Sequence, residues 1–208
     1  GYEDDSGRYN TSARDVDALA YGAPYYTTFW AAGNDRNNNP AAGASVALSP
    51  GGETVSYSAS AHPPGDGVYH GGYETMGYDA LGKNVITVGA VTDAVGSGVR
   101  DPSKASMTSF SSWGPTDDGR IKPDLVANGY NLYSTLADGD ASYGTISGTS
   151  MAAPNAAGTA QQLVGLHADR LGGRHPRAAT LKGLLIHTAD DLGSPGPDYV
   201  FGWGLIDG

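Results

Sequence analysis

Cysteine is absent from the 208 residues, so no disulfide framework braces this chain and the redox state of its compartment leaves no mark on it. Cations are scarce. Twelve lysines and arginines stand against 22 aspartates and glutamates, and the formal charge of −10 argues against nucleic acid or an anionic membrane as a partner. No apolar run approaches membrane-spanning length, and no signal peptide opens the chain, as expected if such a start is removed from the mature protein. Histidine is missing from the whole stretch before His62. What is plentiful is glycine, at 32 residues, with 12 prolines and many Ser, Thr and Asn, while charged residues make up only 16%. Apolar runs recur throughout, which fits a loop-rich globular protein and not a disordered one. The length allows one sizeable core, so residues 1–208 are read as part of a single domain.

The stretch that organises the rest is Gly148-Thr149-Ser150-Met151-Ala152-Ala153-Pro154. A serine set between glycine, threonine and a run of small residues has the character of a reactive side chain at the start of a tightly packed helix, and Ser150 is the candidate nucleophile. A hydroxyl attacks only when a base takes its proton and fixed donors receive the negative charge of the tetrahedral intermediate. The first N–H groups of a helix are such donors, since they lack partners within the helix and carry partial positive charge. Gly148 lets another segment approach, and Pro154 is expected in the first turn, where proline is tolerated.

Around this motif the pattern is α/β. Ser12 is expected to cap a short helix over residues 13–20, with Val16, Leu19 and Ala20 on its buried face. A β-branched and aromatic run, residues 25–32, follows as a strand and ends at Gly33-Asn34. Residues 35–84 are rich in turn signals, with one alternating segment from Glu53 to Ala59, and read as a loop insertion on the rim of the domain. Residues 84–91 form a continuous apolar run, the mark of a strand covered on both faces. Residues 97–107 read as a polar loop, and Trp113 as a residue packed under the loop that presents the serine. Leu125-Val126-Ala127 is a short strand, and Asn131–Thr135 pairs with Tyr143–Ile146 as a hairpin that delivers the chain to Gly148. Two helices end the chain: one beginning at Ser150, and one over 177–188 with Leu181, Leu184, Leu185 and Ile186 inward. His167, His175 and His187 fall on or between them and read as surface or packing residues.

Gly148–Pro154 resembles the serine motif of the subtilisin-like serine proteases, the subtilases. The likeness continues in the family's order through Ala31-Ala32-Gly33-Asn34, Ser109–Pro115, Lys122-Pro123-Asp124-Leu125-Val126-Ala127 and Phe201–Asp207. It departs at Asn128-Gly129, where the family pattern has Pro-Gly, a difference read as touching a turn and not the chemistry. The resemblance implies a three-layer α/β fold, a mainly parallel sheet flanked by helices, with the family's N-terminal strands missing from this chain. It implies a serine endopeptidase that hydrolyses peptide bonds through an acyl-enzyme on Ser150. Asn34, which taken alone is an ordinary turn residue, becomes the side-chain oxyanion donor, and Ala31 and Gly33 line the pocket for the substrate side chain before the scissile bond. The implied partners are a protein or peptide substrate and the N-terminal segment of the same catalytic domain, with neither nucleic acid nor membrane, and the implied location is extracellular.

The family's histidine and aspartate have no counterpart before Asn34. They are therefore expected from a missing upstream segment, and the 208 residues alone are expected to be inactive. His62 and His70 are rejected as the base because they follow Asn34 and so break the motif order. No cofactor is expected to be required. Calcium is a possible ligand, as in many subtilases, with Asp35, Asp66 and Asp79 as candidate oxygen donors, although their spacing matches no defined calcium loop and solvated turns are the preferred reading. The alternative function is a non-catalytic module, for binding or structure, that keeps the subtilase fold.

Overall fold

The structure is a computed structural model, and it describes residues 6–38, 40–47, 54–58 and 72–207. In chain order it comprises α1 (Thr11–Gly22), β1 (Phe29–Ala31), β2 (Ser45–Ala47), β3 (Thr54–Ser56), a 3₁₀ turn at Tyr78–Leu81, and β4 (Ile86–Val91). These are followed by β5 (Val95–Gly96), β6 (Val99–Arg100), a second 3₁₀ turn at Pro102–Lys104, β7 (Leu125–Asn128), β8 (Leu132–Thr135), β9 (Tyr143–Ile146), α2 (Thr149–Arg170) and α3 (Ala178–Thr188). The central sheet is parallel, in the order β1-β4-β7. Three antiparallel hairpins, β2–β3, β5–β6 and β8–β9, surround it.

All six residues of β4 are buried, which explains why its sequence is continuously apolar and does not alternate. On one face Ile86, Val88 and Ala90 join Leu125 and Ala127 of β7 against Ala152, Ala153, Ala156 and Ala160 of α2, with Leu181 and Leu185 of α3 behind. The alanines matter because a helix with small side chains can lie close to the sheet with no void between them. On the other face Val91 and Val126 meet Leu205, Met107 and Phe201, while Ala32 and Trp30 meet Met76, Ala80 and Leu81. Helix α1 rests against the Tyr78–Leu81 turn and completes the third layer.

At the amino end of the sheet the chain carries a buried charge cluster. The Asp124 carboxylate meets Lys122 Nζ at 2.6 Å and Lys182 Nζ at 2.7 Å, and accepts the Thr87 N–H at 2.7 Å. Lys122 Nζ also donates to Thr87 Oγ1 at 2.8 Å. Burial pulls the Lys122 ammonium down to about 8, against the opposing pull of Asp124. Asp124, although desolvated, is held below the usual carboxylate range by Lys122 and Lys182. The cluster ties β4, β7 and α3 together at the end of the sheet opposite to Asn34.

Several local expectations differ from the structure. Helix α1 is capped by Asn10, whose Oδ1 accepts the Ala13 N–H at 3.2 Å, while the Ser12 hydroxyl donates to Asp79. Its buried face is Ala13, Asp17 and Ala20, and Leu19 is 75% exposed. The helix is turned away from its apolar residues because Asp17 accepts the Lys83 and Asn84 N–H groups at 2.9 and 2.7 Å and the Tyr9 hydroxyl at 2.7 Å, so the buried carboxylate is fully used. Strand β1 is three residues long, and Tyr25 and Tyr26 before it lie on the surface. The polar loop after β4 contains the β5–β6 hairpin and the Pro102–Lys104 turn. Of the alternating segment, Thr54–Ser56 forms β3, and Glu53 and Ala59 lie outside the described residues. Helix α2 starts one residue early, at Thr149, and Pro154, its sixth residue, lies in the second turn and not the first, leaving the Ser150 carbonyl without an amide from position 154.

Candidate active site

The site forms at the carboxyl end of the parallel sheet, where β1 runs into Gly33-Asn34 and β7 runs into Gly129. Gly33 has φ 109°, a conformation that favours glycine, and a Cβ there would lie 2.8 Å from Ser112 Oγ. Ser112 uses that space to hold the loop. Its N–H donates to the Gly33 carbonyl at 2.9 Å, and its hydroxyl accepts the Asp35 N–H at 3.1 Å. Asn34 is thus carried between two fixed neighbours, with its side chain at the surface.

Thr149 sets the direction of that side chain. Its N–H and its hydroxyl both donate to Asn34 Oδ1 at 3.0 Å, and the hydroxyl accepts the Gly33 N–H at 3.2 Å. Thr149 is fully buried. With the oxygen taken by Thr149, the amide nitrogen of Asn34 faces the opposite way, toward Gly148. A Cβ added at Gly148 would stand 3.6 Å from Asn34 Nδ2 and 3.7 Å from the Ser150 nitrogen. The absent side chain therefore marks a hollow bordered by two nitrogens, one from a side chain and one from the first turn of α2, with Met151 Sδ at 3.5 Å as its third neighbour. Ser150 is exposed beside it. That arrangement can receive a negative oxygen next to a hydroxyl.

Gly129 supports the floor. It accepts the Gly148 N–H at 2.8 Å and donates to Val91 O at 3.0 Å. A Cβ at Gly129 would come within 2.6 Å of the Ala90 Cβ and 2.7 Å of the Gly148 carbonyl, so glycine here is what lets the serine loop sit on the sheet. The Asn128-Gly129 turn thus bears on the site, contrary to the sequence reading. Trp113 is structural, as its sequence context suggests. Its ring packs against the loop after Asn34, with the Arg36 guanidinium 3.6 Å from its centroid and Tyr73 at 5.2 Å.

Ala31, at the end of β1, and Gly33 are both half-buried on the approach to Asn34. Thr149, Ser112 and Gly129 are the residues that sequence reasoning missed in functional terms. Thr149 lay inside the quoted motif, but nothing in its spacing shows that its hydroxyl bridges to a residue 115 positions away. The described histidines are remote or external. His167 lies 17 residues along α2 from Ser150, roughly 25 Å at helical rise, while His175 and His187 are exposed. His62, His70 and Asp66 lie outside the described residues. Asp35 accepts from Asn38 Nδ2 at 2.8 Å and Asp79 from Ser12, and among the described residues no three His, Cys, Asp or Glu side chains gather as a metal site. Nor is any described helix long and apolar enough to cross a membrane.

Comparison with known proteins gives this geometry a setting. The C5a peptidase of Streptococcus pyogenes serotype M18 is 48% identical over 56 residues, which is 27% of this chain and 5% of that protein. The serine protease AprX of Bacillus subtilis is 35% identical over 103 residues, 44% of this chain and 23% of that protein. Among solved structures, the CspB protease of Clostridium perfringens aligns with a TM-score of 0.54 and 30% identity, over 66% of this chain and 28% of that one. The chain spans less than a third of the length of each of these relatives. The model of the subtilase family matches residues 2–204, nearly the whole chain, and the chain belongs to that family.

Proposed function

We propose that this chain carries the nucleophile and the oxyanion site of a serine endopeptidase acting on protein or peptide substrates. Ser150 attacks the scissile carbonyl and forms the acyl-enzyme. The oxyanion settles in the hollow beside Gly148 and accepts from Asn34 Nδ2 and the Ser150 N–H. Ala31 and Gly33 flank the substrate side chain that precedes the scissile bond. The base and its orienting carboxylate come from an upstream segment of the same catalytic domain, and the turn-rich region from about 35 to 84 is an insertion at its rim. The protein acts outside the cell, with calcium as an optional ligand and no required cofactor.

The observation that carries this reading is the convergence of Asn34 Nδ2 and the Ser150 nitrogen, each within 4 Å of one point beside an exposed serine. The family and its peptidase members support the same chemistry. The test is labelling of the native protein by a fluorophosphonate. Ser150 is expected to take the label, Ser150→Ala to abolish it, and Asn34→Leu to slow it. An unlabelled Ser150 in native protein overturns the proposal.

A second reading, a non-catalytic module, draws on the free Ser150 hydroxyl, which has no hydrogen-bond partner among the described residues. Intact mass and N-terminal sequencing of the native protein separate the two. A chain or companion peptide that supplies a histidine and an aspartate supports the enzyme, whereas a single chain beginning at Gly1 supports the module.

A further inference from the structure

The β8–β9 hairpin runs straight into the serine, with its last strand residue, Ile146, four positions before Ser150. Its base is pinned to the site. Asn131 N–H donates to Ser147 Oγ at 2.9 Å, and Gly148 N–H to the Gly129 carbonyl at 2.8 Å. Pairing of Tyr133 with Thr145 and of Thr135 with Tyr143 puts both tyrosines on one face, where their rings stack at 6.0 Å and 20°. They are 73% and 56% exposed. Leu136 folds over Gly144 on the other face and stiffens the arm. At the tip Asp138 and Asp140 are both exposed. Between Lys122 and Arg170 the sequence has no lysine or arginine, so no cation of this segment neutralises them.

We propose that this hairpin is a docking arm for the basic flank of a polypeptide substrate, an arginine- or lysine-rich stretch a few residues away from the bond presented to Ser150. The inference deepens the peptidase reading and rests on it. A guanidinium stacks well on an exposed aromatic face, and the two aspartates attract it and supply acceptors for its fork of N–H groups. Net charge also selects this occupant over a second copy of the chain. With a formal charge of −10, a second copy would bring acid to acid.

The test uses the whole protein in its Ser150→Ala form and two fluorescein-labelled peptides that share one scissile region, with arginine-glycine repeats or glutamate-glycine repeats as the flank. The arginine peptide is expected to bind more tightly, and its advantage to shrink as salt rises. The double change Asp138→Asn, Asp140→Asn is expected to weaken it about tenfold, and Tyr133→Ser with Tyr143→Ser about fivefold, without altering the glutamate peptide. Equal binding of the two peptides overturns the proposal, as does indifference to either pair of substitutions, or a change of oligomeric state on substituting the tyrosines. Fluorophosphonate labelling of the unmutated serine is read separately. Labelling with no arginine preference sinks the docking arm alone, whereas an unlabelled serine sinks the peptidase reading it rests on. The substituted side chains are exposed, and thermal melting that matches the parent protein keeps a loss of binding from being a loss of fold.

Discussion

At the scale of single residues the site depends on one missing side chain and one buried hydroxyl. The contacts a Cβ would make at Gly148 lie in the ordinary van der Waals range, but its φ of 159° is a conformation that L side chains rarely adopt, so Gly148→Ala is expected to cost about 1–3 kcal/mol in backbone strain. Its methyl group would also occupy the hollow between Asn34 Nδ2 and the Ser150 N–H and keep an oxyanion from both donors. In the whole protein kcat is expected to fall at least about a hundredfold in molecules that remain folded, together with a lowered melting temperature from the strained backbone, the order of magnitude for one lost donor being taken from subtilisin itself. Thr149→Val tests the other element. It removes the hydroxyl that holds Asn34 Oδ1 and accepts the Gly33 N–H, while the backbone N–H at position 149 still holds Asn34. One neutral hydrogen bond is worth about 1 kcal/mol, so kcat is expected to drop about fivefold with KM nearly unchanged. Thr149→Ser should restore it. Full kcat in the Thr149→Val enzyme would show that the amide orients without help from the hydroxyl.

At the scale of elements, the contact between the serine loop and the sheet is set by steric fit. Gly129→Ala would drive a methyl into Ala90 and the Gly148 carbonyl, and overpacking of this kind costs about 1–3 kcal/mol. Urea denaturation should register that loss, and fluorophosphonate labelling should slow with it, because the displaced segment is the one that carries Ser150. At the opposite end of the strands the Lys122–Asp124–Lys182 cluster gives a pH signature. The folded-state pKa of Lys122 is lowered from 10.5 to about 8, so its protonated form weakens the fold. Stability is therefore expected to rise as pH climbs from about 8 toward 10.5, by on the order of 3 kcal/mol, since over that window only the unfolded chain holds the proton. Asp124 acts in the other direction. Its lowered pKa adds stability above 3.8 that is lost as pH falls through its folded value. Lys122→Met should abolish the alkaline rise and leave stability at neutral pH within about 1 kcal/mol or higher, whereas Asp124→Asn strands two cations and should cost about 3–5 kcal/mol. Denaturation midpoints followed across pH measure both, and an alkaline rise that survives in Lys122→Met would contradict the assignment.

At the scale of the molecule, the parallel sheet ends at β1, which pairs with β4 on one side and with no strand among the described residues on the other. An unpaired strand edge is a template for association. If upstream strands complete the domain, these 208 residues prepared alone should self-associate with rising concentration and show negligible turnover. Sedimentation analysis checks the first and a peptide hydrolysis assay the second, and a monomer at high concentration would count against an edge left open. Much of the architecture was legible beforehand. β4 was readable because burial on both faces demands an unbroken apolar run, and the β8–β9 hairpin because turn residues separate two strand-forming runs. Ser150 and Asn34 stood out because their neighbours are small and their motifs follow one order. The buried face of α1 was not legible, because a carboxylate satisfied by two backbone amides and a tyrosine looks in sequence like a solvated one. Nor was the bond from Thr149 to Asn34, or the fit of Gly129 under Gly148. The sequence by itself determined which groups can do the chemistry and which segments must be buried, since both follow from residue type and local spacing. Only the tertiary structure decided where the Asn34 amide points and how close the serine loop lies to the sheet, because those depend on contacts between residues far apart in the chain, which local pattern does not encode.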